Sequence, residues 1–244
     1  MTPIITIFRN IKETDTPFHV SIDKILTRIK DGKSKELVKS IRKEADKKNR
    51  NEIKKQLPAV CFSGKFTNRK DSSILEHSGF ICLDFDGYEK KKLMLEEKEK
   101  LTRDKHTYSV FVSPSGNGLK VIVKIPADTE NHVNYFLALE KHYDSKYFDK
   151  TCKNIGRVCY ESYDPLIYVN ENSSLWDKIA EMEYKEFTSS DSPTIPITDE
   201  NKIVEILVKW WNKKYPMSEG QRNQNVYILA MAFNDYGVQI SLAG

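Results

Sequence analysis

Between Ala59 and Ile125 the chain switches repeatedly between two side-chain periods, and that switching narrows the possible folds. Val60-Cys61-Phe62, Phe80 to Phe85, Tyr108 to Val112 and Leu119 to Ile125 are β-branched or aromatic runs of strand length. Tyr88 to Leu101, set between two of them, is rich in Lys and Glu and predicts a solvent-facing helix. His132 to Tyr147 predicts a second helix, with Val133, Phe136, Leu137 and Leu139 as its buried stripe. Short strands follow at Arg157 to Tyr160 and Ile167 to Val169. Strands and helices mix without a strict βαβ repeat, so the class is α+β.

The flanks extend the same class. Ile4-Ile5-Thr6-Ile7-Phe8 reads as an opening strand, and Ile22, Ile25, Leu26 and Ile29 recur at helical spacing behind Ser21, a good N-cap. Gly32 interrupts, and Leu37, Val38 and Ile41 restart a helical stripe after Ser34. Lys30 to Lys55 carries eleven basic against five acidic side chains, either the solvated face of a helix pair or a phosphate-binding surface. Residues 188–199, with two prolines among small polar residues, predict a linker. Beyond it, Ile203, Ile206, Leu207 and Trp210 mark an amphipathic helix, and Asn225 to Tyr236 a second helix after the turn at 218–223. The expected organisation is an α+β domain over 1–187 with a basic helical segment at 21–56, the linker, and a helical module over 200–244. Two helices bury little by themselves, so that module is expected to be the start of a larger one.

Composition closes off other classes. With 39% hydrophobic and 11% aromatic residues the chain can build a core, and no apolar run approaches the ~18 residues of a membrane helix. Met1-Thr2-Pro3 does not open a secretory signal, so a cytoplasmic protein without a membrane partner is expected. Cys61, Cys82, Cys152 and Cys159 form no CxxC pair, which argues against a zinc ribbon or disulfide framework and for reduced, buried thiols. A net charge of +4 is too mild to define a partner.

Chemistry concentrates in three places. In Ile81-Cys82-Leu83-Asp84-Phe85-Asp86, strand alternation puts the apolar side chains on one face and both acids on the other, about 7 Å apart at Cα. Two such carboxylates suit a hard divalent cation that brings phosphates with it, although a solvated strand end entering the Asp86-Gly87 turn has the same spacing. Ser113-Pro114-Ser115-Gly116-Asn117-Gly118-Leu119-Lys120 joins two strands with small residues that can face an anion, and Lys120 stands at its mouth; an ordinary hairpin turn would also use these residues. Finally, Asp149 lies eight residues before Arg157, whose apolar neighbours predict a guanidinium that must pair or enter a site, with Asp164 as a structural partner. Arg69, in a polar loop after Phe66, is a weaker candidate.

The order of Asp-x-Asp, a Ser/Gly-rich turn and an Asp before an Arg-containing strand resembles the three motifs of the archaeo-eukaryotic primase superfamily, the primase-polymerases. Leu83 to Asp86, Ser113 to Lys120 and Arg157 to Pro165 resemble more closely the VirE N-terminal domain family, a divergent branch found in the Bacteroides group, its mobile elements and phages. The resemblance spans roughly 59–170, and the stretch 220–223 with its helix looks like the start of a primase C-terminal module. It implies an RRM-like mixed sheet with flanking helices. It also implies a DNA primase or polymerase acting as a nucleotidyltransferase in phage or mobile-element replication. Asp84, Asp86 and Asp149 would hold two Mg²⁺ or Mn²⁺ ions. Ser113, Ser115, Gly116, Gly118, Lys120 and Arg157 would take the nucleoside triphosphate, and Lys47, Lys48, Arg50, Lys54 and Lys55 would track a single-stranded DNA template. A replicative helicase would be the natural neighbour.

One departure matters: primase-polymerases usually carry His where this chain has Lys120. Asp164 rivals Asp149 as third acid. A non-catalytic nucleic-acid-binding module, a metal-dependent nuclease and a replication scaffold are the competing functions.

Overall fold

The computed structural model describes residues 2–180, 199–214, 222–236 and 238. Close contacts divide the chain into two compact units, Met1–Glu183 and Tyr184–Gly244. Apart from Asp199, the predicted linker lies outside the described residues.

The first unit opens with β1 (Ile4–Phe8), β2 (Phe18–Ser21) and α1 (Ile22–Asp31). Helix α1 begins where Ser21 Oγ accepts from the Lys24 amide, and it ends where Gly32 turns left-handed at φ 80° with its amide on Arg28 O. Its Ile22, Ile25, Leu26 and Ile29 are buried, as their spacing predicts. Next come α2 (Lys35–Lys43) and α3 (Lys47–Lys54), then β3 (Ala59–Cys61) and a hairpin of β4 (Gly64–Phe66) with β5 (Ile74–His77). The rest of the unit is β6 (Phe80–Phe85), α4 (Lys91–Arg103), β7 (Thr107–Val112), β8 (Leu119–Lys124), α5 (His132–Tyr143), β9 (Cys159–Tyr160) and β10 (Tyr168–Val169).

Two four-stranded sheets result, ordered β2-β1-β3-β9 and β10-β7-β8-β6. The resemblance implies a mixed sheet, but every pairing among the described strands is antiparallel. The crossovers through α4 and α5 return the chain beside antiparallel neighbours, which removes any parallel pair.

Alternation along β6 decides where the chemistry lies. Ile81, Leu83 and Phe85 join Met94 and Leu101 of α4 and Phe136 and Leu139 of α5 in one core. Phe80 and Cys82 point the other way, into the core shared with β1, β3, α1 and Cys159. Asp84 continues this second face, away from α4 and α5. Each fully buried aromatic or branched side chain in these cores contributes about 1.5–3 kcal/mol.

Several expectations shift in detail. Helix α5 stops at Tyr143, not Tyr147, because Asp144 adopts φ 40° and caps Glu140 O. Val133 is exposed, and Tyr135 and Ala138 take its place in the buried face. The strand predicted from Arg157 begins only at Cys159. Arg157 is therefore an exposed residue ahead of a two-residue strand, and no burial cost forces it to pair. All four cysteines are free thiols, and three of them are buried.

The segment 161–164 staples the unit together. Glu161, 1% exposed, accepts from Arg28 Nε at 2.5 Å and Nη2 at 3.1 Å, and also from Ser34 Oγ. Ser162 Oγ donates to Val112 O at 2.6 Å. Asp164 accepts from Lys98 Nζ at 2.7 Å and from the Val112 amide at 2.9 Å. Removing Arg28 would strand a buried carboxylate, so Arg28→Ala is expected to cost about 2–3 kcal/mol of unfolding free energy, discounted for the partial exposure of Arg28. Urea titration checks this, and Glu161→Gln added to Arg28→Ala should recover part of the loss.

In the second unit, α6 (Glu200–Lys214) and α7 (Arg222–Asp235) are described. The apolar stripe of α6 is centred on Leu207 and Trp211, while Ile206 and Trp210 of the predicted stripe are exposed. The Trp211 indole donates to Asn225 O at 2.6 Å, and Leu207 packs with Phe233 and Val238. Residues 218–221 of the predicted turn lie outside the described residues. Among the described residues, no helix is long and apolar enough to cross a membrane.

Candidate functional site

The last residues of β6 meet a distant segment. Phe148 bridges Phe85 in antiparallel fashion, with Asp86 N donating to Tyr147 O and Asp149 N to Asp84 O, both at 2.8 Å. Aromatic packing holds this bridge: Phe148 lies edge-on to Phe85 at 5.3 Å and to Phe136 at 5.1 Å. Asp149, 65 residues downstream in the sequence, is thereby set beside Asp84.

One carboxylate oxygen each from Asp84 and Asp149 and the Cys152 sulfur lie within 4.8 Å of one another. Asp84 is buried, and its Oδ1 is enclosed without a hydrogen-bond partner among the described residues. Its Oδ2 accepts from Lys120 Nζ, the cross-strand partner of Asp84 in the β6–β8 register. Burial alone would lower the Lys120 pKa, but the Asp84 carboxylate outweighs it and holds the ammonium protonated.

Cys152 Sγ donates to Asp149 Oδ2 at 3.0 Å, and Thr151 donates to Asp149 Oδ1 from both its amide and its hydroxyl. Partial burial would raise the Asp149 pKa, but these hydrogen bonds and Arg157 together hold it below the ordinary carboxylate value. Burial, and then the bond to Asp149, push the Cys152 thiol up to about 12. Cys152 is thus a hydrogen-bond donor that orients Asp149. The two carboxylates are hard oxygen donors, and with an orphaned oxygen on Asp84 they fit a hard divalent cation.

Asp86 sits just past the end of β6. Its Oδ1 lies 2.1 Å from where a Cβ on Gly118 would be, and Phe85 O lies 2.9 Å away, so only glycine admits this approach. Loss of solvent and then the Asp84 charge raise the Asp86 pKa, against Lys120 and Lys54. The three predicted acids and Lys120 therefore share one electrostatic neighbourhood.

The Ser/Gly turn closes on itself: Ser113 N donates to Gly118 O at 2.8 Å, and Gly116 N to Ser113 O at 2.9 Å. These two amides are used internally, which differs from the anion-facing turn that the glycines suggest. Ser113 Oγ is buried and without a partner among the described residues, 3.2 Å from the Gly118 Cβ position. Ser115 and Gly116 instead line a cavity of about 490 Å³ with Arg42, Lys91 and Lys98. Sequence does not single out Arg42; it donates to Ser113 O at 3.2 Å and Tyr163 O at 2.9 Å, so it holds the turn from α2. Its place in a basic run is the one signal that points to it.

The remaining candidates divide. Lys54 is half-buried, with Asp86 as its foremost charged neighbour, while Lys47 and Lys48 are exposed. Lys55 pairs with Glu52 at 2.6 Å, and Arg50 donates to Glu44 O at 3.3 Å. Arg69 donates to Ile11 O and is structural. Asp164 belongs to the Lys98 staple and stands outside the acidic cluster. It does not pair with Arg157, whose charge acts on Asp149.

The fold and site together define an α+β unit with carboxylates converging at one end of an antiparallel sheet. Residues 52–168 match the family model described as BT4734-like, N-terminal domain, a span that includes Asp84, Asp86, Lys120, Asp149 and Arg157. Among solved structures, the AEP domain of the cyanophage S-2L primase-polymerase (PrimPol) is similar at 12% identity, covering 72% of this chain and 84% of that chain with a TM-score of 0.38. No curated protein matches the chain.

Proposed function

We propose that the first unit is a primase-polymerase-like nucleotidyltransferase that makes or extends primers on single-stranded DNA during phage or mobile-element replication. One observation carries this reading: Asp84 and Asp149 each bring a carboxylate oxygen within 4.8 Å of the other, and Asp84 Oδ1 is buried without a hydrogen-bond partner among the described residues. The layout of the second sheet supports it. Strand β6, helix α4, strands β7 and β8, and helix α5 follow in that order, with both helices on one face and Asp84 on the other. An RRM-like core would have this order, with Asp84 at the end of the face that packs toward the first sheet.

Asp84 and Asp149, with Asp86 beside them, would hold Mg²⁺ or Mn²⁺, which when bound neutralises phosphate charge and activates a hydroxyl. Lys120 orients Asp84 and adds fixed positive charge where a triphosphate would lie. Cys152 and Thr151 fix the Asp149 rotamer. Ser113 Oγ offers a hydroxyl donor next to Gly118, and Arg157 a guanidinium on the Asp149 side. Lys47 and Lys48, both exposed, would track template phosphates, and Lys54, on which Asp86 is the foremost charge, would extend that basic surface toward the acids.

Incorporation of labelled nucleotide on a single-stranded DNA template with Mg²⁺ or Mn²⁺ tests the reading. The parent should form product, and Asp84→Ala/Asp86→Ala or Asp149→Ala should lose it by roughly a hundredfold or more. Product undiminished in the double variant would remove these carboxylates from the chemistry. The ion pair of Lys120 with Asp84 favours a second reading, a nucleic-acid-binding module without catalysis. Metal-independent strand binding with neither incorporation nor metal-dependent nucleotide binding would decide for it.

A further inference from the structure

A cleft of about 330 Å³ lies on the first sheet, where β1 and β2 meet α1, and the carboxylate site does not use it. Its floor is apolar, with Ile7 and Ile25 buried beneath it. Its wall is Phe18, which pairs in register with Ile7 on the outermost strand of the sheet and is 47% exposed. A single exposed aromatic means little by itself. Here the Arg9 guanidinium lies 5.6 Å from the centre of the Phe18 ring, and Arg9, Lys24 and Arg28 all line the cleft.

Those cations differ in their state. Arg28 is neutralised by Glu161, and the acid next to Lys24, Asp23, accepts from Tyr108 on β7. Arg9 and Lys24 hydrogen-bond to no acid among the described residues. Lys24 and Arg28 also line an adjoining polar groove that runs past Thr27 to Lys33, with Asp31 as its one acid. An occupant must therefore offer a flat apolar face beside negative charges spaced along a chain. Duplexes bury their base faces, and acidic side chains carry no ring of their own; in an unpaired strand every unit joins a flat base to a phosphate.

We propose that this cleft seats one unpaired base of a single-stranded nucleic acid, with Phe18 as the stacking platform and Arg9 and Lys24 on the flanking phosphates. Its volume lies at the small end of ligand pockets, which suits one nucleoside. The polar groove along the last turn of α1 takes the continuing backbone. This surface acts in binding alone, so it stands or falls separately from nucleotidyl transfer.

The test is fluorescence anisotropy of the full chain with a labelled oligothymidylate in EDTA, which silences any metal-dependent chemistry. Phe18→Ala and Phe18→Leu should each weaken binding on the order of tenfold, while Phe18→Tyr keeps the stack and stays near the parent. Arg9→Gln/Lys24→Gln should weaken binding and flatten the slope of log affinity against log salt by roughly 1 to 2. Unlabelled single strand should displace the probe far better than a duplex of equal length. Thermal melting of the variants reports that they fold, and Phe18→Leu retains apolar contact if the alanine variant does not. The proposal is overturned if the parent fails to bind, if the folded Phe18 variants bind within about twofold of it, or if duplex competes equally. Displacement by thymidine monophosphate at matching concentration would also overturn it, by assigning the cleft to free nucleotides.

Discussion

Lys120→Met is expected to lower the unfolding free energy measured in EDTA by about 3–5 kcal/mol, the cost of leaving one member of a buried ion pair unmatched. The side chains of Lys120 and Asp84 are 14% and 11% exposed, so little solvent screens the loss. Asp84 would then have neither oxygen satisfied, because Oδ1 already lacks a partner and Oδ2 loses Lys120. Two companions identify the cause. Lys120→Met/Asp84→Leu removes both charges and should recover most of the stability, since an apolar pair often replaces a buried ion pair at little cost. Mn²⁺ should stabilise Lys120→Met more than the parent, because a cation bound only to the folded state adds its binding free energy to folding. Asp149→Ala in the same background should cancel that rescue. Urea titrations of the four proteins with and without Mn²⁺ give the answer. A cost below about 1 kcal/mol, in the range of an exposed pair, would mean that Asp84 finds water or another donor when Lys120 is gone.

The parts of this site that sequence discloses are those fixed by local period. Ile81, Leu83 and Phe85 need the core, which places Asp84 on the opposite face without further information. Gly118 and Lys120 follow from a two-strand turn of recognisable chemistry. What stays hidden depends on register and on contacts between distant segments. The meeting of Asp84 with Lys120 is a cross-strand pairing, and one residue of slip would abolish it. Asp149 reaches Asp84 through a single bridge anchored by Phe148, and the stapling of Arg28 to Glu161 spans 133 positions. Arg157 misleads because Ile155, Val158 and Cys159 imitate a strand, whereas the segment turns until Cys159 and Gly156 is held by Asp71 Oδ1 at 2.9 Å. In α6 the adjacent Trp210 and Trp211 differ by about 100° around the axis, so choosing the wrong one rotates the stripe. Strand β2 and the β4–β5 hairpin escape notice because three or four residues at an edge carry too few alternations to count.

Acid should weaken this fold through one buried imidazole pair, and His132→Asn should remove much of that sensitivity. His77 Nδ1 accepts from the Gly79 amide at 3.0 Å, so its proton sits on Nε2, which donates to His132 Nδ1 at 3.1 Å. Both Nδ1 atoms are therefore acceptors, and a proton added to either would set donor against donor. Burial lowers the His77 pKa, partly offset by Asp128. Burial and then His77 lower His132 to about 3, with Asp71 opposing. Unfolded histidine takes up its proton near pH 6.5. Between about 6.5 and 3 the unfolded chain thus binds a proton that the folded chain refuses, and stability falls as pH falls, by about 1.4 kcal/mol per unit for His132. At pH 4.5 the loss from this group should reach roughly 2–3 kcal/mol relative to neutral pH. Carboxylates such as Asp149, held low in the fold, add acid sensitivity of the same sign at still lower pH. The variant separates the two sources, because the amide oxygen of the substituted side chain can accept from His77 as the imidazole nitrogen does but never titrates. Urea unfolding of both proteins at pH 7 and 4.5 should show the parent losing more, by that margin. Parallel losses would place the acid sensitivity in the carboxylates and leave the histidine pair a neutral packing contact that opens to water before it charges.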